Sequence, residues 1–344
     1  MEAFALDAFG EQGSVRDLPD PTPEEGQVLV RVAAAGLNPF DGAVVAGHLE
    51  GRMEHRFPLV PGMDGSGTVE AVGDGVKGFG VGDAVFGSVG KRSLGGGTLA
   101  ALATMSTATI ARKPAAVHHD VAASIPVAGV TAQTVVDQLE PEKGQVLVAI
   151  GATGGVGSFL VQLAADRGAH VVAVCSGENA AYAKALGAAD VVDYAAGDIV
   201  DAIRSRFGDG IDAVADMHGD ADLITRLADL VRDGGHVVSV VGAVDESSAS
   251  RSIVAKNVSG MVTTAALESL VARVERDEII TPPIHPFRLA DAAQALERVS
   301  SHHVRGKIVV EIDASGASAA RPAATRGGSN VPNAGRDVDE GRTE

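Results

Sequence analysis

The sequence predicts an α/β protein with two domains, one built on a doubly wound parallel sheet and the other irregular and mostly β. Beyond about residue 120, apolar runs of strand length alternate with helix-like stretches, which is typical of a parallel sheet covered on both faces by helices. Before that point, short segments rich in Val, Ala and Phe are separated by Gly, Pro and Asp clusters, which favours short irregular strands.

The segments follow these two patterns in order along the chain. In the first half we predict strands at 3–6, 27–35, 67–72 and 84–89. In the second half we predict strands at 145–150, 170–174, 211–215 and 236–241, with helices at 198–207 and 220–231. A later helix-like stretch at 289–299 precedes an apolar strand at 307–312, and we expect this last piece to return to the first domain.

These elements define the predicted domain boundaries. We assign residues 1–120 and 280–313 to the first domain and residues 121–279 to the parallel-sheet domain. The tail at 314–344 holds few large aliphatic side chains, so it cannot offset the entropy of ordering, and we predict that it is disordered.

The composition excludes several function classes. The 344 residues carry a formal net charge of −17 and 3% aromatic side chains, so a nucleic-acid partner is not expected. The single cysteine, Cys175, excludes an intramolecular disulfide and thiolate-rich zinc clusters. We find no signal peptide, and the uncharged run at 144–165 is interrupted by glycines, so we expect a cytoplasmic protein with no membrane partner.

The most informative motif is the segment IGATGGVG at 150–157, which follows an apolar strand and opens a stretch with apolar residues at helical spacing. Small residues let the backbone approach a pyrophosphate, and the helix N-terminus supplies free N–H groups and partial positive charge. A merely tight turn is the alternative. We favour a Rossmann-type dinucleotide site, whose cofactor-binding residues are Thr153, Gly154, Gly155, Val156 and Gly157.

The end of the next strand bears on the choice of coenzyme. A carboxylate there would bind the adenosine ribose and repel a 2′-phosphate, but the strand instead ends in Cys175-Ser176-Gly177. Ser176 can donate a hydrogen bond to a phosphate, so we predict NADP(H) as the cofactor. The loop that follows, Glu178-Asn179-Ala180, lacks the Lys or Arg that would neutralise the phosphate charge.

Together with the glycine segment, the rest of the chain resembles the medium-chain dehydrogenase/reductase superfamily, in its zinc-independent quinone oxidoreductase-like branch. The resemblance extends to about Ile312 and is carried by the segments Gly36–Asp41, Pro61–Gly73, Gly82–Gly87, Ala128–Ala132 and Arg305–Val309. It implies a Rossmann-type nucleotide domain beside a GroES-like catalytic domain, and commonly a homodimer.

The resemblance also bears on metal binding. The positions at which the zinc alcohol dehydrogenases of this superfamily hold their catalytic metal correspond to Asn38, Met63 and Val127. None of these side chains is an ordinary zinc ligand, because zinc takes thiolate, imidazole or carboxylate donors. We therefore expect no metal.

The resemblance assigns roles to several residues. Asn38 is placed at the reactive end of the cofactor, where its amide can bind the nicotinamide ribose or the substrate oxygen; an Asx turn before Pro39 is the alternative. For Asp41 we favour anchoring of the loop through backbone N–H groups over acid–base catalysis. The further cofactor-binding residues that the resemblance implies are Thr131, Tyr194, Val241 and Gly242.

These observations predict an NADPH-dependent, zinc-independent reductase that transfers hydride to a quinone or related α,β-unsaturated carbonyl. Such acceptors take hydride without a Lewis acid, because conjugation spreads the negative charge onto oxygen. An enal or enoyl-thioester reductase is one alternative. Some enoyl-thioester reductases of this family use a tyrosine as proton donor, and the only tyrosines, Tyr182 and Tyr194, lie in the nucleotide half, which disfavours the enoyl-thioester reductase. A non-catalytic NADP(H)-binding sensor or structural protein is the other.

Overall fold

The computed structural model describes residues 1–90, 94–246, 253–301 and 303–312. The predicted disordered tail at 314–344 and residue 313 of the first domain lie outside the described residues. No helix in the described part of the chain is long and apolar enough to cross a bilayer.

A seven-stranded sheet organises the first part of the chain together with its last described segment. The strands of the first part are β1 (Glu2–Ala5), β2 (Ser14–Asp17), β3 (Gln27–Leu37), β4 (His55–Val60), β5 (Asp64–Val72), β6 (Ala84–Ser88), β7 (Leu94–Gly96), β8 (Leu102–Ser106) and β9 (Ile110–Arg112). They are joined by α1 (Pro39–Val45) and followed by α2 (His119–Ala123) and α3 (Pro126–Leu139).

The second part alternates strand and helix. Its strands are β10 (Val146–Ile150), β11 (His170–Cys175), β12 (Asp190–Asp193), β13 (Ile211–Asp216), β14 (Val231–Ser239) and β15 (Val254–Asn257). Its helices are α4 (Gly155–Asp166), α5 (Ala180–Ala185), α6 (Ile199–Arg206), α7 (Ala221–Ala228) and α8 (Thr264–Glu275). The chain then forms β16 (Ile284–Arg288), α9 (Ala292–Ser300) and β17 (Lys307–Glu311).

The strands form two large sheets and two small two-stranded ones, β1-β2 and β4-β7. The larger sheet has the order β16-β17-β3-β5-β6-β9, with β8 also paired to β3. β17 runs antiparallel to β3, with Ile308 opposite Leu37, so the end of the described chain lies in the sheet of the first part. The other large sheet is parallel and has the order β12-β11-β10-β13-β14-β15. This is the predicted α/β fold with a doubly wound parallel sheet.

Both faces of the parallel sheet are buried, which explains why its strands are continuous apolar runs. In β10, Leu147 and Ala149 belong to a core formed with α3, α4 and α8. Val148 and Ile150 point to the opposite core, formed with α6 and α7. Helix α2 contains the predicted domain boundary at residue 120 and packs against β3 and β5 of the larger sheet.

Several predicted elements differ by a few residues in their bounds, and the largest differences are in the predicted helix at 220–231 and the predicted strand at 236–241. The stretch 220–231 is helical only from Ala221 to Ala228, and β14 already begins at Val231, five residues before the strand predicted at 236–241. Val231 pairs with Ile211 of β13 across an irregularity in the register. Pairing with a neighbouring strand extends β14 through polar residues, and a local hydrophobic pattern carries no signal for such pairing.

Candidate functional site

The glycine segment lies at the carboxyl end of the parallel sheet, at the point where the strand order reverses. From β10 the chain continues to β11 and β12 on one side, and β13 lies on the other side of β10. In open α/β sheets this crevice is where ligands bind. The loop after β10 therefore occupies the expected position for a dinucleotide site.

Close backbone packing explains the small residues of this loop. Gly151 has φ +77°, and the N–H of Gly154 donates to the Gly151 carbonyl at 3.2 Å. A Cβ atom at Gly157 would lie only 2.3 Å from that carbonyl oxygen. Helix α4 begins at Gly155 with Gly154 as its N-cap, and no side chain caps the first turn. Its first N–H groups lack intrahelical partners and can bind an anionic group.

The loop after β11 combines polar side chains at the expected ribose position. The Asn179 side chain donates to Ser176 Oγ at 2.9 Å. A Cβ atom at Gly177 would lie 2.5 Å from Asp193 Oδ2, so this carboxylate of the neighbouring strand faces the loop. Tyr194 follows directly and is half-exposed. The sequence shows no acid at the tip of β11 itself, but the fold brings Asp193 beside it.

A cation that sequence reasoning missed also reaches this loop. Arg305 lies between α9 and β17, and its guanidinium donates to Asn179 Oδ1 at 3.2 Å. The same guanidinium lies 5.8 Å from the centre of the Tyr182 ring. Arg305 is distant in sequence from the 176–180 loop, so no local pattern indicates the contact. The positive charge that the loop lacks in sequence is supplied by another segment.

The turn at 241–243 is held by two buried polar residues that the sequence reasoning also missed. Asp216 ends β13 and accepts hydrogen bonds from His218 N–H at 2.9 Å and from Ser239 Oγ at 2.7 Å. Ser239 Oγ in turn accepts from Val241 N–H at 3.2 Å. Polar side chains at the ends of two apolar parallel strands are the signal that could have identified this pair.

Two further predicted residues occupy different environments. Gly242 has φ +82°, and no atom lies within 4 Å of a Cβ atom built there, so the turn is open at this point. Thr131 lies in α3 and is 6% exposed. A Cβ atom at Gly260 would lie 2.6 Å from Thr131 Oγ1, so the segment after β15 closes over Thr131.

A buried polar network surrounds Asn38, the N-cap of α1. Lys307 Nζ donates to Asn38 Oδ1 at 2.6 Å and to the Leu37 carbonyl at 2.7 Å. Asn38 Nδ2 donates to Asp64 Oδ2 at 2.9 Å, and the Asn38 backbone N–H donates to Asp41 Oδ2 at 2.7 Å. All four side chains are at most 5% exposed. Lys307 and Asp64 were not among the predicted site residues, because neither is near Asn38 in sequence.

The network perturbs the protonation of its members. Burial, together with the nearby Asp64 carboxylate, raises the pKa of Asp41 to about 7, although the hydrogen bond from the Asn38 N–H opposes this rise. Burial lowers the pKa of Lys307, and Asp64 and Asp41 oppose that shift. Two carboxyl groups and one ammonium group thus share a buried site.

The side chains here do not fit a zinc ion. The three positions that would supply ligands hold an amide, a thioether and a valine. Asp64 is hydrogen-bonded to Asn38, accepts from the Val127 N–H at 3.2 Å, and lies 3.8 Å from the Lys307 ammonium. Among the residues that the structure describes, no group of three or more His, Cys, Asp and Glu side chains is arranged to hold a metal.

Comparison with known proteins agrees with this architecture. Residues 24–115 match the family described as alcohol dehydrogenase GroES-like domain, and residues 186–310 match the family described as zinc-binding dehydrogenase. The NADPH-dependent alkenal/one oxidoreductase of Arabidopsis thaliana is 32% identical over 84% of this chain and 73% of its own length.

Two further proteins extend the comparison. The chloroplast envelope quinone oxidoreductase homolog of Arabidopsis thaliana is 35% identical over 62% of this chain and 67% of its own length. The solved quinone oxidoreductase of Coxiella burnetii superposes with a TM-score of 0.83 at 30% identity, covering 91% of this chain and 99% of that one. The chain therefore belongs to the medium-chain dehydrogenase/reductase superfamily of nicotinamide-dependent oxidoreductases, in its quinone oxidoreductase-like branch.

Proposed function

We propose that this protein is an NADPH-dependent, zinc-independent reductase of quinones or related α,β-unsaturated carbonyls. The observation that carries the proposal is the arrangement of Asn38. Its oxygen accepts from Lys307 and one of its two Nδ2 hydrogens is bonded to Asp64, so one N–H remains for a ligand. A neutral amide held by Lys307, whose side chain also packs against Gly155 of the glycine loop, suits an acceptor that needs only a hydrogen-bond donor.

The proposed reaction requires few other groups from the protein besides Asn38. When bound, the reduced nicotinamide supplies hydride to an acceptor carbon, and the pair of electrons moves through the conjugated system onto the acceptor oxygen. The remaining N–H of Asn38 stabilises this oxygen, which takes a proton from water. A tyrosine donor is not part of the proposal, since Tyr182 donates its hydroxyl hydrogen to Ser158 Oγ at 3.1 Å and Tyr194 follows β12.

The choice of NADPH is supported by Arg305, whose guanidinium lies against the 176–180 loop. A guanidinium can pair with a 2′-phosphate through charge-assisted hydrogen bonds, and Ser176 can add another. Asp193 faces the same loop and favours NADH over NADPH. Its charge repels a 2′-phosphate, and its oxygens can accept a hydrogen bond from a ribose hydroxyl. The balance between these two side chains sets the coenzyme preference.

Changing Arg305 to Gln is expected to raise the Kd for NADPH about tenfold while leaving the Kd for NADH nearly unchanged, because one charge-assisted contact is lost. Asp193→Asn is expected to act in reverse and strengthen NADPH binding. Coenzyme fluorescence titration measures both constants. Arg288→Gln, an exposed arginine whose partner is Asp291, is the matched control. Equal weakening of both coenzymes by Arg305→Gln would contradict the assignment.

The proposed activity is tested by following NADPH oxidation with a panel of quinones beside a 2-alkenal and a crotonyl thioester. We expect turnover with the quinones or the alkenal, at a rate that 1,10-phenanthroline leaves unchanged. A large preference for the thioester would favour an enoyl-thioester reductase. Tight NADPH binding with no turnover on any acceptor would instead support a sensor or structural role, and loss of activity with the chelator would refute the zinc-free mechanism.

Two predictions from the sequence concern the oligomeric state and the cellular location. The homodimer and the cytoplasmic location stay predictions. Relatives among the curated proteins carry chloroplastic or mitochondrial names. Size-exclusion chromatography with light scattering measures the oligomeric state directly.

A further inference from the structure

Lys307 is the one charged residue among the buried positions of β17, since Ile308, Val309 and Val310 are apolar and buried while Glu311 is partly exposed. A buried lysine is costly unless its charge is paired and its N–H groups are bonded. Lys307 meets this requirement through the Leu37 carbonyl, the Asn38 amide and the Asp64 carboxylate. An aliphatic residue would satisfy the strand equally well, so the lysine calls for another explanation.

The lysine determines which way the Asn38 amide faces. An ammonium group only donates, so Asn38 must present its oxygen to Lys307 and its nitrogen to Asp64. A rotation of the amide by half a turn would set Nδ2 against the ammonium and Oδ1 against the carboxylate, and both contacts would be repulsive. The N–H that remains is therefore held in one direction.

The same side chain also contacts the glycine loop. A Cβ atom at Gly155 would lie 2.9 Å from Lys307 Cδ, so the aliphatic part of the lysine packs against the start of α4. The neighbouring Gly306 N–H donates to the Thr153 carbonyl at 3.0 Å. The methylene groups of Lys307 thus contact the predicted dinucleotide loop, and its ammonium group contacts Asn38.

We propose that Lys307 is a positioning residue that orients the Asn38 amide and aligns it with the glycine loop. The expected effect of Lys307 on kcat rests on the proposed function, because it can be measured only if the protein transfers hydride. The orientation of the Asn38 amide by Lys307 does not rest on that function, because it concerns only contacts within this chain.

The kinetic test compares Asp64→Asn with the double variant Asp64→Asn/Lys307→Met, which differ only at Lys307. The double variant lacks the unpaired buried ammonium, so we expect its Tm to be higher than that of Asp64→Asn. Its kcat at saturating NADPH is nevertheless expected to be at least tenfold lower, because Lys307 no longer fixes which way the Asn38 amide faces. A lysine that only stabilises the fold would move kcat and Tm together. A kcat equal to or above that of Asp64→Asn overturns the proposal.

A second measurement works without turnover and so separates this proposal from the proposed function. In protein labelled with [15N]asparagine, the Asn38 side-chain signals are assigned by their loss in Asn38→Asp. We expect slow solvent exchange for the hydrogen bonded to Asp64, and exchange at least tenfold faster in Lys307→Met, measured below its Tm. Unchanged exchange would overturn the positioning role even if the wild type reduces quinones.

Discussion

Replacing Gly157 with alanine is expected to abolish NADPH binding, raising the Kd more than a hundredfold. The added Cβ would lie 2.3 Å from the Gly151 carbonyl oxygen and 2.7 Å from two backbone atoms of Ala152. Backbone atoms cannot yield as a flexible side chain does, so the loop must open away from α4. The N–H groups of the first turn and the loop backbone then no longer converge on one anion.

The measurement is the shift in Tm on adding NADPH, together with fluorescence titration, because a ligand that binds only the folded state raises Tm. Gly208→Ala is the matched control, also in the part of the chain that forms the parallel sheet. The nearest atom to a Cβ at Gly208 is the Arg204 carbonyl oxygen at 4.0 Å, and this variant should respond to NADPH like the wild type. A normal NADPH-dependent Tm shift in Gly157→Ala would show that the coenzyme does not use this loop.

The second large effect is a pH dependence of stability that originates at Asp41. Its carboxyl group is 1% exposed, and burial raises its pKa from the ordinary 3.8 to about 7. Between these two values the folded state holds a proton that the unfolded state has released. The free energy of unfolding contributed by this group therefore falls as pH rises through that window, by up to about 4 kcal/mol, and is constant above it.

The variant Asp41→Asn isolates this contribution, because an amide of the same shape does not titrate. Denaturant unfolding at pH 4.5, 6 and 8 should show the wild type losing stability relative to Asp41→Asn as the pH rises. Asp222→Asn, the same change at an exposed acid in the first turn of α7, is the control and should not alter the pH dependence. Parallel curves for wild type and Asp41→Asn would mean that Asp41 ionises normally in the folded protein.

The dinucleotide loop illustrates what a local sequence can specify. An apolar strand, a run of glycines and an apolar helix are contiguous in the chain, and their order alone indicates the loop at 150–157. The closest contact of Gly157 is likewise local, with the carbonyl of Gly151. Steric limits between residues so close in sequence hold in any protein that forms this turn, which is why the motif is informative.

The surroundings of Asn38 illustrate the opposite case. Sequence and resemblance indicate Asn38 and Asp41, which lie on one loop, but their partners Asp64 and Lys307 come from β5 and β17. Arg305 is a comparable case, since it supplies the positive charge that the 176–180 loop lacks. Lysines and arginines are usually solvated, and although the segment at 305–309 contributes to the family resemblance, nothing local indicates which distant groups these two side chains contact.

The sequence by itself determined the fold class, the alternation of strand and helix in the second part of the chain, the glycine loop and the family resemblance, because each depends on periodicity or on residues adjacent in the chain. Only the tertiary structure decided which distant polar groups meet, namely Lys307 with Asn38 and Asp64 in the interior, and Arg305 with the loop after β11 at the surface. The physical reason is that burial and Coulomb interactions depend on distance in space, and the return of β17 to β3 brings together residues hundreds of positions apart.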